Sequence, residues 1–369
     1  MKILFIAPLE SIHSVRWINY FIKKGHDVHI LSFTDQLCNL DAVSITIMKP
    51  NRNKRSRFEY YISYLKSLRR IVDSIKPDII HIHWIDKLPF IAVINKPYPV
   101  IVTAWGSDVL INPKNSYLSK FFLKRLLFRA QLITTDGIHL KSALSTFGIP
   151  ENKIKIINFG TNLNEFNPFK RVKHFSSELG YQSDIKFLVI SIRSLNPLYD
   201  VSTFIRAIPL VIKLFSQVGF IVVGDGKEKN SLELLSKKLG VNGSVRFVGR
   251  LSDSQLQRFL ASSDIYVSTS LSDAGLASST SEAMASGLPV IVTDFGDNGR
   301  WIKELETGML FPCSDHKTLS DKIIFLANDR KTAARIANSG RQLIQEKNDY
   351  HAEMEKVDRL YRDILASES

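Results

Sequence analysis

Short apolar runs alternate with longer amphipathic stretches along the whole chain. Each run is hydrophobic at nearly every position, which is typical of parallel strands that helices cover on both faces. Segments between the runs, such as residues 201–215 and 231–239, are long enough for crossover helices. The pattern therefore predicts an α/β protein with doubly wound parallel sheets. The predicted strands are residues 2–8, 28–33, 45–49, 79–84, 100–105, 132–136, 155–160, 186–193, 220–226, 245–250, 265–270, 290–295 and 308–312.

The chain is long enough for two such sheets. It has 369 residues, of which 44% are hydrophobic, so two cores are expected. Asn and Pro interrupt the pattern at residues 162–171. We predict an N-terminal domain over residues 1–168 and a second over 169–348. Residues 349–369 are predicted to form a C-terminal helix, for which packing on the N-terminal domain is one option. The two domains are expected to face a central cleft, because open parallel sheets bind ligands beyond the carboxyl ends of their strands.

The positive charge lies almost entirely in the first half. Residues 1–170 hold 24 Lys and Arg against 12 Asp and Glu, whereas residues 171–369 hold 25 against 24. This asymmetry favours an anionic partner, with an ordinary solvated basic surface as the alternative. The basic run NRNKRSR at residues 51–57 is the better candidate surface. LSKFFLKRLLFRA at residues 118–130 is also basic, but its charges are not expected to gather on one helical face.

Targeting and metal signals are weak. There is no apolar run of about 18 residues and no cleavage site after MKILFIAP, so a cytoplasmic location or the cytoplasmic face of a membrane is expected. Cys38 and Cys313 indicate neither a disulfide framework nor a zinc site. His81 and His83 are expected to face opposite sides of one strand and to share no metal. At least one of them is expected to be a hydrogen-bonded core histidine.

Glycine placement argues against a dinucleotide-dependent oxidoreductase. Such an enzyme would be expected to carry G-x-G-x-x-G after an early strand, but FIAPLESIHSV contains no glycine. Gly224 and Gly226 in VVGDGKEK are a weak signal by themselves. The oxidoreductase is therefore only a minor alternative.

Several segments together carry a family resemblance. They are SVRWINYFIKKGHDVHILSF, HIHWIDK, TAWGSDVL, NFGTNLNEFNP, SIRSLNPLYDV, VVGDGKEK and, most specifically, SEAMASGLPVIVTD. With them the chain resembles a family 4 glycosyltransferase of the GT-B type. The resemblance implies two Rossmann-like domains and transfer of a sugar from a UDP- or GDP-linked donor with retention of configuration. It implies no metal and no cofactor beyond the nucleotide sugar as co-substrate.

Glu282 is the acid in that most specific segment. An ionised carboxylate can accept hydrogen bonds from both hydroxyls of a ribose, and the resemblance assigns this role to Glu282. We expect Glu282 in the first turn of a helix, where the helix dipole favours its charge. The residue types at positions 279–282 also match a capping box, so capping of the helix is an alternative or additional role for Glu282.

Arg193 ends a predicted strand, at the position of the family's phosphate-binding arginine. Positive charge there would stabilise the departing pyrophosphate. The partner lysine of the family is absent, because Leu198 and Tyr199 occupy its place. Backbone amides before a helix could supply part of this loss, namely those of Gly275, Leu276, Ala277 and Ser278. Further basic candidates for the donor are Lys227, Arg250 and Arg300.

Two other positions depart from the family pattern. The family's first glutamate stands eight residues before the second, where this chain has Ala274. The neighbouring Asp273 is a candidate to contact the sugar, although an aspartate in a turn is the alternative. Trp105 replaces the family's sugar-contacting histidine, while Gly106 and Asp108 retain the rest of that turn.

We therefore predict a glycosyltransferase with its donor in the C-terminal domain. Arg193, Asp108 and Asp273 are the catalytic candidates, and His13, His83, Trp105 and Gly106 are candidates for acceptor or sugar contacts. A saccharide or lipid-linked acceptor and an anionic membrane surface are the expected partners, and no nucleic acid is expected. The replacements at Ala274, Tyr199 and Trp105 keep two alternatives open: a nucleotide-sugar epimerase of the same fold, and a non-catalytic sugar or lipid binder.

Overall fold

The computed structural model describes residues 1–32, 40, 44–47, 57–83, 93, 96–106, 109, 117–181, 185–273 and 275–368. Of residues 57–64, 117–119 and 368 it describes the backbone alone. The chain forms two compact units, one of Met1–Phe159 with Glu353–Ser369 and one of Gly160–Ala352. The sequence-based boundaries fell at residues 168 and 348, whereas the structure divides the chain after Phe159 and after Ala352.

The first unit contains a parallel sheet of seven described strands in the order β3-β2-β1-β4-β5-β6-β7. Its strands are β1 Lys2–Ile6, β2 Asp27–Ser32, β3 Ser44–Ile47, β4 Ile79–His83, β5 Val100–Ala104, β6 Leu132–Thr135 and β7 Ile154–Ile156. Its described helices are α1 Ile12–Lys23, α2 Arg57–Ile75, α3 Tyr117–Arg129 and α4 Ile138–Ser145.

The second unit contains a parallel sheet of six described strands in the order β10-β9-β8-β11-β12-β13. Its strands are β8 Phe187–Ile192, β9 Val218–Val223, β10 Val245–Gly249, β11 Ile265–Ser268, β12 Val290–Thr293 and β13 Met309–Phe311. Its helices are α5 Phe175–Glu178, α6 Val201–Leu214, α7 Lys229–Lys238, α8 Asp253–Ser262, α9 Ser278–Ala285, α10 Asn298–Trp301, α11 His316–Asn328 and α12 Arg330–Lys347. A last helix, α13 Tyr350–Glu368, begins in this unit and continues into the first.

All of the predicted strands are present, within a few residues of the predicted bounds. The central strands β4, β5, β9 and β11 are buried at every position, as strands covered on both faces must be. In the second unit, two separate apolar clusters pack against the sheet. The apolar runs were therefore sufficient to predict the α/β class.

Strand order reverses once in each sheet. In the first unit β1 lies between β2 and β4, and in the second β8 lies between β9 and β11. The loops that leave two such central strands run to opposite faces of the sheet and open a crevice at the carboxyl edge. The described residues that follow β1, β8 and β11 therefore lie where such sheets bind ligands.

Helix α3 differs from its sequence-based expectation. Its basic residues were expected to be scattered, but its exposed face carries Lys120, Phe121, Lys124, Arg125 and Phe128. Its buried face is aliphatic, with Leu123, Leu126 and Leu127. The expectation was wrong because the phenylalanines lie with the charges on the solvent side. The other basic run, at residues 51–57, lies outside the described residues except for the backbone of Arg57. No described helix is both long and apolar enough to span a bilayer.

The C-terminal part of α13 is anchored in the core of the first unit. Tyr361 is fully buried and stacks on Phe21, with ring centroids 4.9 Å apart. Its hydroxyl is hydrogen-bonded to Nδ1 of His81. On the same helix, Asp358 forms an ion pair with Lys24, with Oδ2 and Nζ 3.2 Å apart. Aromatic packing and buried polar contacts thus both hold this helix.

Replacing Tyr361 should destabilise the first unit in two steps. Tyr361→Phe keeps the ring but leaves a ring nitrogen of His81 without its partner, at a cost of about 1–3 kcal/mol. Tyr361→Ala also removes the ring packing and should cost about 3–5 kcal/mol. Chemical denaturation would measure both. Equal losses in the two variants would contradict a separate contribution from the hydroxyl.

Candidate functional site

Arg193 lies immediately after β8, at the reversal point of the second sheet. Its Nε and Nη2 donate hydrogen bonds to Oγ of Ser268, at 3.0 and 2.8 Å. Ser268 ends β11, the strand beside β8 across the reversal. The guanidinium also lies over the ring of Tyr199, 5.4 Å from its centroid. Both central strands and one aromatic ring therefore orient this cation.

Asp273 forms an ion pair with Arg193, with Oδ2 and Nη2 2.8 Å apart. The other carboxylate oxygen accepts a hydrogen bond from Oγ of Ser270 at 3.1 Å. Both oxygens of Asp273 are therefore bonded to the protein. The sequence makes Asp273 a candidate for a sugar contact and gives no sign of its pairing with Arg193.

The pair keeps the arginine charged in a buried setting. The side chains of Arg193 and Asp273 are 10% and 6% exposed. Burial disfavours the charged guanidinium, but Asp273, Tyr266 and Tyr199 together outweigh this effect, with Asp273 the largest of the three. The pKa of Arg193 is therefore raised above its ordinary value. A permanent, oriented positive charge results at the carboxyl edge of the sheet.

Two glycines allow other loops to approach this pair. Gly224 has φ +134°, and a Cβ built on it would lie 1.9 Å from the carbonyl oxygen of Arg193. Gly296 has φ +59°, and its Cβ would lie 1.8 Å from the carbonyl oxygen of Asp273. No side chain fits at either position. Gly224, a weak signal in the sequence, therefore has a packing function at the backbone of Arg193.

Glu282 is buried in helix α9, but its position in that helix differs from the expectation. The helix begins at Ser278, and Ala277 is its N-cap, without a side-chain capping bond. The capping-box prediction for residues 279–282 is wrong, because Glu282 is the fifth residue of the helix and no acid lies in its first turn. The Glu282 side chain is buried, with the residue 5% exposed.

The N-terminal turn of α9 has polar groups turned inward. The amides of Thr280 and Ser281 bond back to the carbonyl of Ala277, at 2.9 and 3.0 Å. Oγ of Ser278 is buried without a hydrogen-bond partner among the described residues. Gly275 and Leu276, which precede the helix, are buried. The segment therefore presents hydrogen-bond donors at the positive end of a helix.

The remaining basic candidates lie on the surface of the second unit. Lys227 follows β9, Arg250 follows β10, and Arg300 lies in α10. All three are exposed. Lys227 and Arg250 share the carboxyl edge of the sheet with Arg193, since β10, β9 and β8 are adjacent and parallel.

The candidate acceptor residues of the first unit form a ring cluster. His13 stacks on Phe159 with centroids 4.3 Å apart and meets the edge of Trp105 at 5.7 Å. His83 lies 5.8 Å from the same tryptophan ring. Gly106, with φ +112°, follows directly. The structure thus brings together all four candidates, at the carboxyl ends of β4 and β5 and at the start of α1. The sequence gave no sign that Phe159 belongs with them.

Both histidines of this cluster are held neutral. Burial, together with a smaller effect of the positive charge of Arg16, lowers the pKa of His13 to about 4. Burial also lowers the pKa of His83 to about 3, with a smaller contribution from His13. Nδ1 of His83 contacts Oγ of Ser14 at 3.2 Å. Its Nε2 has no hydrogen-bond partner among the described residues.

His81 and His83 lie on the same face of β4, with ring centroids 4.5 Å apart. The opposite-face expectation was wrong, because residues two apart in a strand point the same way. His81 is bonded on both nitrogens, to the hydroxyl of Tyr361 and to Oγ1 of Thr103 at 2.6 Å. It is therefore the expected hydrogen-bonded core histidine. No cluster of three metal-binding side chains occurs among the described residues.

Two of the predicted positions lie outside the described residues, and two serines of the site were not predicted from the sequence. Asp108 and Ala274 are outside the described residues. Ser268 and Ser270 were missed, although both lie in the predicted strand 265–270. A serine at the end of a buried strand that points to the same edge as Arg193 was the available signal.

Comparison with known proteins identifies the class through the fold. The structure of HepE from Anabaena, solved with UDP and glucose, has a TM-score of 0.80 and 17% sequence identity, and the match covers 98% of this chain and 100% of that one. With two Rossmann-like parallel sheets, the chain has the GT-B fold of glycosyltransferases.

Sequence comparison then identifies the family. The family model described as glycosyl transferases group 1 matches residues 180–343, and the one described as glycosyl transferase 4-like matches residues 2–137. The chain belongs to the family 4 glycosyltransferases of the GT-B fold.

Two relatives illustrate the range of this family. The chain is 23% identical to the putative glycosyltransferase EpsD of Bacillus subtilis, over 92% of this chain and 91% of that protein. It is 26% identical to the phosphatidyl-myo-inositol mannosyltransferase of Mycobacterium leprae, over 47% of this chain and 45% of that protein. In this second match the chain spans less than half of its relative's length.

His83 should make the first unit acid-sensitive. Its folded pKa of about 3 lies below the ordinary value of 6.5, so the unfolded chain binds this proton first. The stabilisation is complete above pH 6.5 and is lost as the pH falls toward 3, at up to about 1.4 kcal/mol per pH unit. Unfolding free energies measured between about pH 7 and pH 4.5 should fall less steeply in His83→Gln. The exposed His351→Gln is the control, and an equal slope change in it would contradict this role.

Proposed function

We propose that this glycosyltransferase transfers a sugar from a UDP- or GDP-linked donor to a saccharide or lipid-linked acceptor, with retention of anomeric configuration. The observation that carries the proposal is the buried, ionised Arg193 at the reversal point of the second sheet. An oriented cation at the carboxyl edge suits the pyrophosphate of a nucleotide sugar.

Arg193 is the proposed contact to the phosphate that leaves. Its hydrogen bonds to Ser268 and Asp273 use Nε and Nη2, and Nη1 takes part in none of them. Nη1 can therefore donate to a phosphate oxygen while the other groups hold the plane of the guanidinium. Asp273 acts in this proposal as a positioning residue for Arg193. The missing family lysine is partly replaced by this rigid orientation, since Tyr199 supports the guanidinium from its ring face.

The start of α9 supplies the second group of phosphate contacts. The first amides of a helix lack acceptors within it, and its dipole favours an anion there. Ser278 adds a buried hydroxyl without a partner among the described residues. Gly275, Leu276 and Ala277 bring the backbone to this point. Lys227 and Arg250 are proposed as outer donor contacts, because they follow neighbouring strands at the same edge.

Glu282 is the proposed ribose ligand. It is buried one helical turn after Ser278, so it lies on the same side of α9. An ionised carboxylate can accept hydrogen bonds from both hydroxyls of a ribose. The donor would then be held at both ends of the nucleoside diphosphate.

The acceptor contacts are proposed in the first unit. Trp105 offers an aromatic face for a sugar ring, and the neutral His83 has Nε2 unbonded by the described residues. His13 and Gly106 complete the contact group. The name of the Mycobacterium leprae relative states a phosphatidyl-inositol acceptor for that protein, which supports a lipid-linked acceptor for this chain. Attachment to the cytoplasmic face of an anionic membrane, through the basic first half, fits such an acceptor.

The transfer step needs no metal and no dedicated base in this proposal. The acceptor oxygen bonds to the anomeric carbon on the face from which the phosphate departs. The bond between that carbon and the phosphate oxygen breaks, and the acceptor proton passes to the departing phosphate. Arg193 and the α9 amides stabilise the charge that develops on the phosphate. Asp108 remains a proposed catalytic contact.

Donor binding should require Arg193 and Glu282. Thermal stabilisation by a panel of nucleotides and nucleotide sugars is the measurement, because a bound ligand raises stability with its occupancy. Each of Arg193→Ala and Glu282→Gln should lower the affinity for the stabilising ligand by about tenfold to a hundredfold, as expected for the loss of charge-assisted hydrogen bonds. Asp273→Asn, which keeps Arg193, should weaken it less.

The matched control for these variants is Arg258→Ala. Arg258 belongs to the same unit, and its ion pair with Glu178 is on the surface. This variant should bind the donor as the unaltered protein does. If no nucleotide or nucleotide sugar raises the melting temperature of the unaltered chain, the donor site is assigned wrongly.

The reaction type is tested by its product. Incubation with the donor identified above and candidate acceptors should yield a glycoside that keeps the anomeric configuration of the donor, as NMR would show. Arg193→Ala should lower kcat at least about a hundredfold, the typical cost of losing one oriented charge-stabilising group. An inverted glycoside would disprove retention. Free epimerised sugar would indicate an epimerase, and donor binding without turnover a non-catalytic binder.

A further inference from the structure

The exposed face of helix α3 combines aromatic rings with basic groups. Phe121 is 53% exposed and Phe128 is 42% exposed. They are seven residues apart, which places them on one face, two turns from each other. Lys124 and Arg125 lie between them and are also exposed. Exposure of two phenylalanines is unfavourable in water, since burial of each ring would stabilise the protein. This face is thus suited to a partner that covers it.

The face borders a groove of about 910 Å³. Helix α3 forms one wall, and the segment before β5 forms the other. The lining residues are Lys96, Pro97, Phe121, Lys124, Arg125, Phe128 and Arg129. Every side chain in this groove is either apolar or basic, and none is acidic.

The charges of this groove differ in how far the protein neutralises them. Nζ of Lys96 is 2.5 Å from a carboxylate oxygen of Asp73. Arg129 donates to the carbonyl of Lys96 at 2.9 Å. Lys124 and Arg125 instead lie over phenylalanine rings, each 5.6 Å from a ring centroid. Within the described part of the chain, no carboxylate forms an ion pair with either of them.

We propose that this α3 face, defined as Phe121, Lys124, Arg125 and Phe128, binds the anionic phospholipids of a bilayer surface. The two rings enter the boundary between headgroups and acyl chains, and the two cations bind lipid phosphates. The inference rests on the membrane attachment proposed above and names its surface.

The chemistry of the face favours a lipid surface over other anionic partners. The four side chains of the face provide two apolar rings and two positive charges. An anionic bilayer matches both, because its negatively charged phosphates can bind the cations and its hydrocarbon region can take up the rings. The cations already lie over the rings, so they need little rearrangement when the rings enter the headgroup layer.

Vesicle binding of the full chain tests this proposal. Flotation is measured with vesicles of phosphatidylcholine alone and with vesicles that contain phosphatidylglycerol. The unaltered protein should float with the anionic vesicles, and rising salt should weaken this binding. Lys124→Gln with Arg125→Gln should reduce the partition coefficient about thirtyfold, at roughly fivefold per cation near an anionic surface. Phe121→Ser with Phe128→Ser should also reduce binding. The binding that remains should be electrostatic, so a lower salt concentration should abolish it than is needed for the unaltered protein.

Helix α7 of the second unit provides a matched control. It carries an exposed leucine, Leu234 at 65%, together with exposed Lys237 and Lys238. Leu234→Ser with Lys237→Gln and Lys238→Gln removes one exposed apolar side chain and two exposed positive charges, and it should leave vesicle binding unchanged. The altered side chains are all on the surface, so equal melting temperatures of the variants would show that each is folded.

The outcomes separate this inference from the proposals on which it rests. Anionic binding of the unaltered chain that persists in the α3 variants would overturn the α3 assignment and keep the membrane attachment. Absence of vesicle binding by the unaltered chain would overturn both, while the donor panel would still test the transfer reaction. Binding of the α3 face to single-stranded oligonucleotide but not to vesicles would also overturn the lipid assignment.

Discussion

Parallel pairing of β8 with β11 is the constraint on which the donor candidate site depends. These strands lie side by side but their following loops diverge, because the sheet order reverses between them. Arg193 and Ser268 are therefore brought to the same edge although 75 residues separate them in the chain. The divergence also leaves space beyond the strands, where the loop that carries Asp273 and the start of α9 come together. Side-chain chemistry then determines what this space can bind.

Burial of the Arg193–Asp273 pair explains why the surrounding residues are small or polar. A buried ion pair stabilises a protein only when its remaining hydrogen-bond capacity is met, and removal of one partner leaves an uncompensated charge. Ser268 and Ser270 meet part of that capacity. Gly224 and Gly296 allow backbone to approach where any side chain would clash. Asp273 precedes Ala274, the residue that stands in place of the family's first glutamate, and its carboxylate pairs with the arginine.

The first unit has a different electrostatic character at the point where its own strand order reverses. The histidines at this point are neutral, because burial lowers the pKa of His13, His81 and His83. His81 is fully used by Tyr361 and Thr103, and so ties the C-terminal helix to the sheet. Positive charge is instead placed on the surface, most clearly on α3. A neutral cluster at the sheet edge and a basic exterior are compatible with an uncharged sugar acceptor that is presented by an anionic membrane.

The amino-acid sequence by itself determined the fold class, the strands and the family. Short runs of residues that are apolar at every position are typical of parallel strands covered on both faces, and here they alternate with segments long enough for crossover helices. The segment around Glu282 is specific enough to show the family relationship. The positions of Arg193 and Glu282 as candidates also came from sequence, because a motif preserves chemistry at fixed spacing.

Tertiary structure alone decided which candidates meet. The Arg193–Asp273 pair, the shared face of His81 and His83 with Tyr361, and the grouping of His13 with Phe159 all join residues distant in the chain. The start of α9 and the exposed side of α3 were also decided there, since the surroundings of a helix select its first turn and its buried face. Local pattern records what each residue prefers, but contacts across a sheet depend on strand order, and strand order is a property of the whole fold.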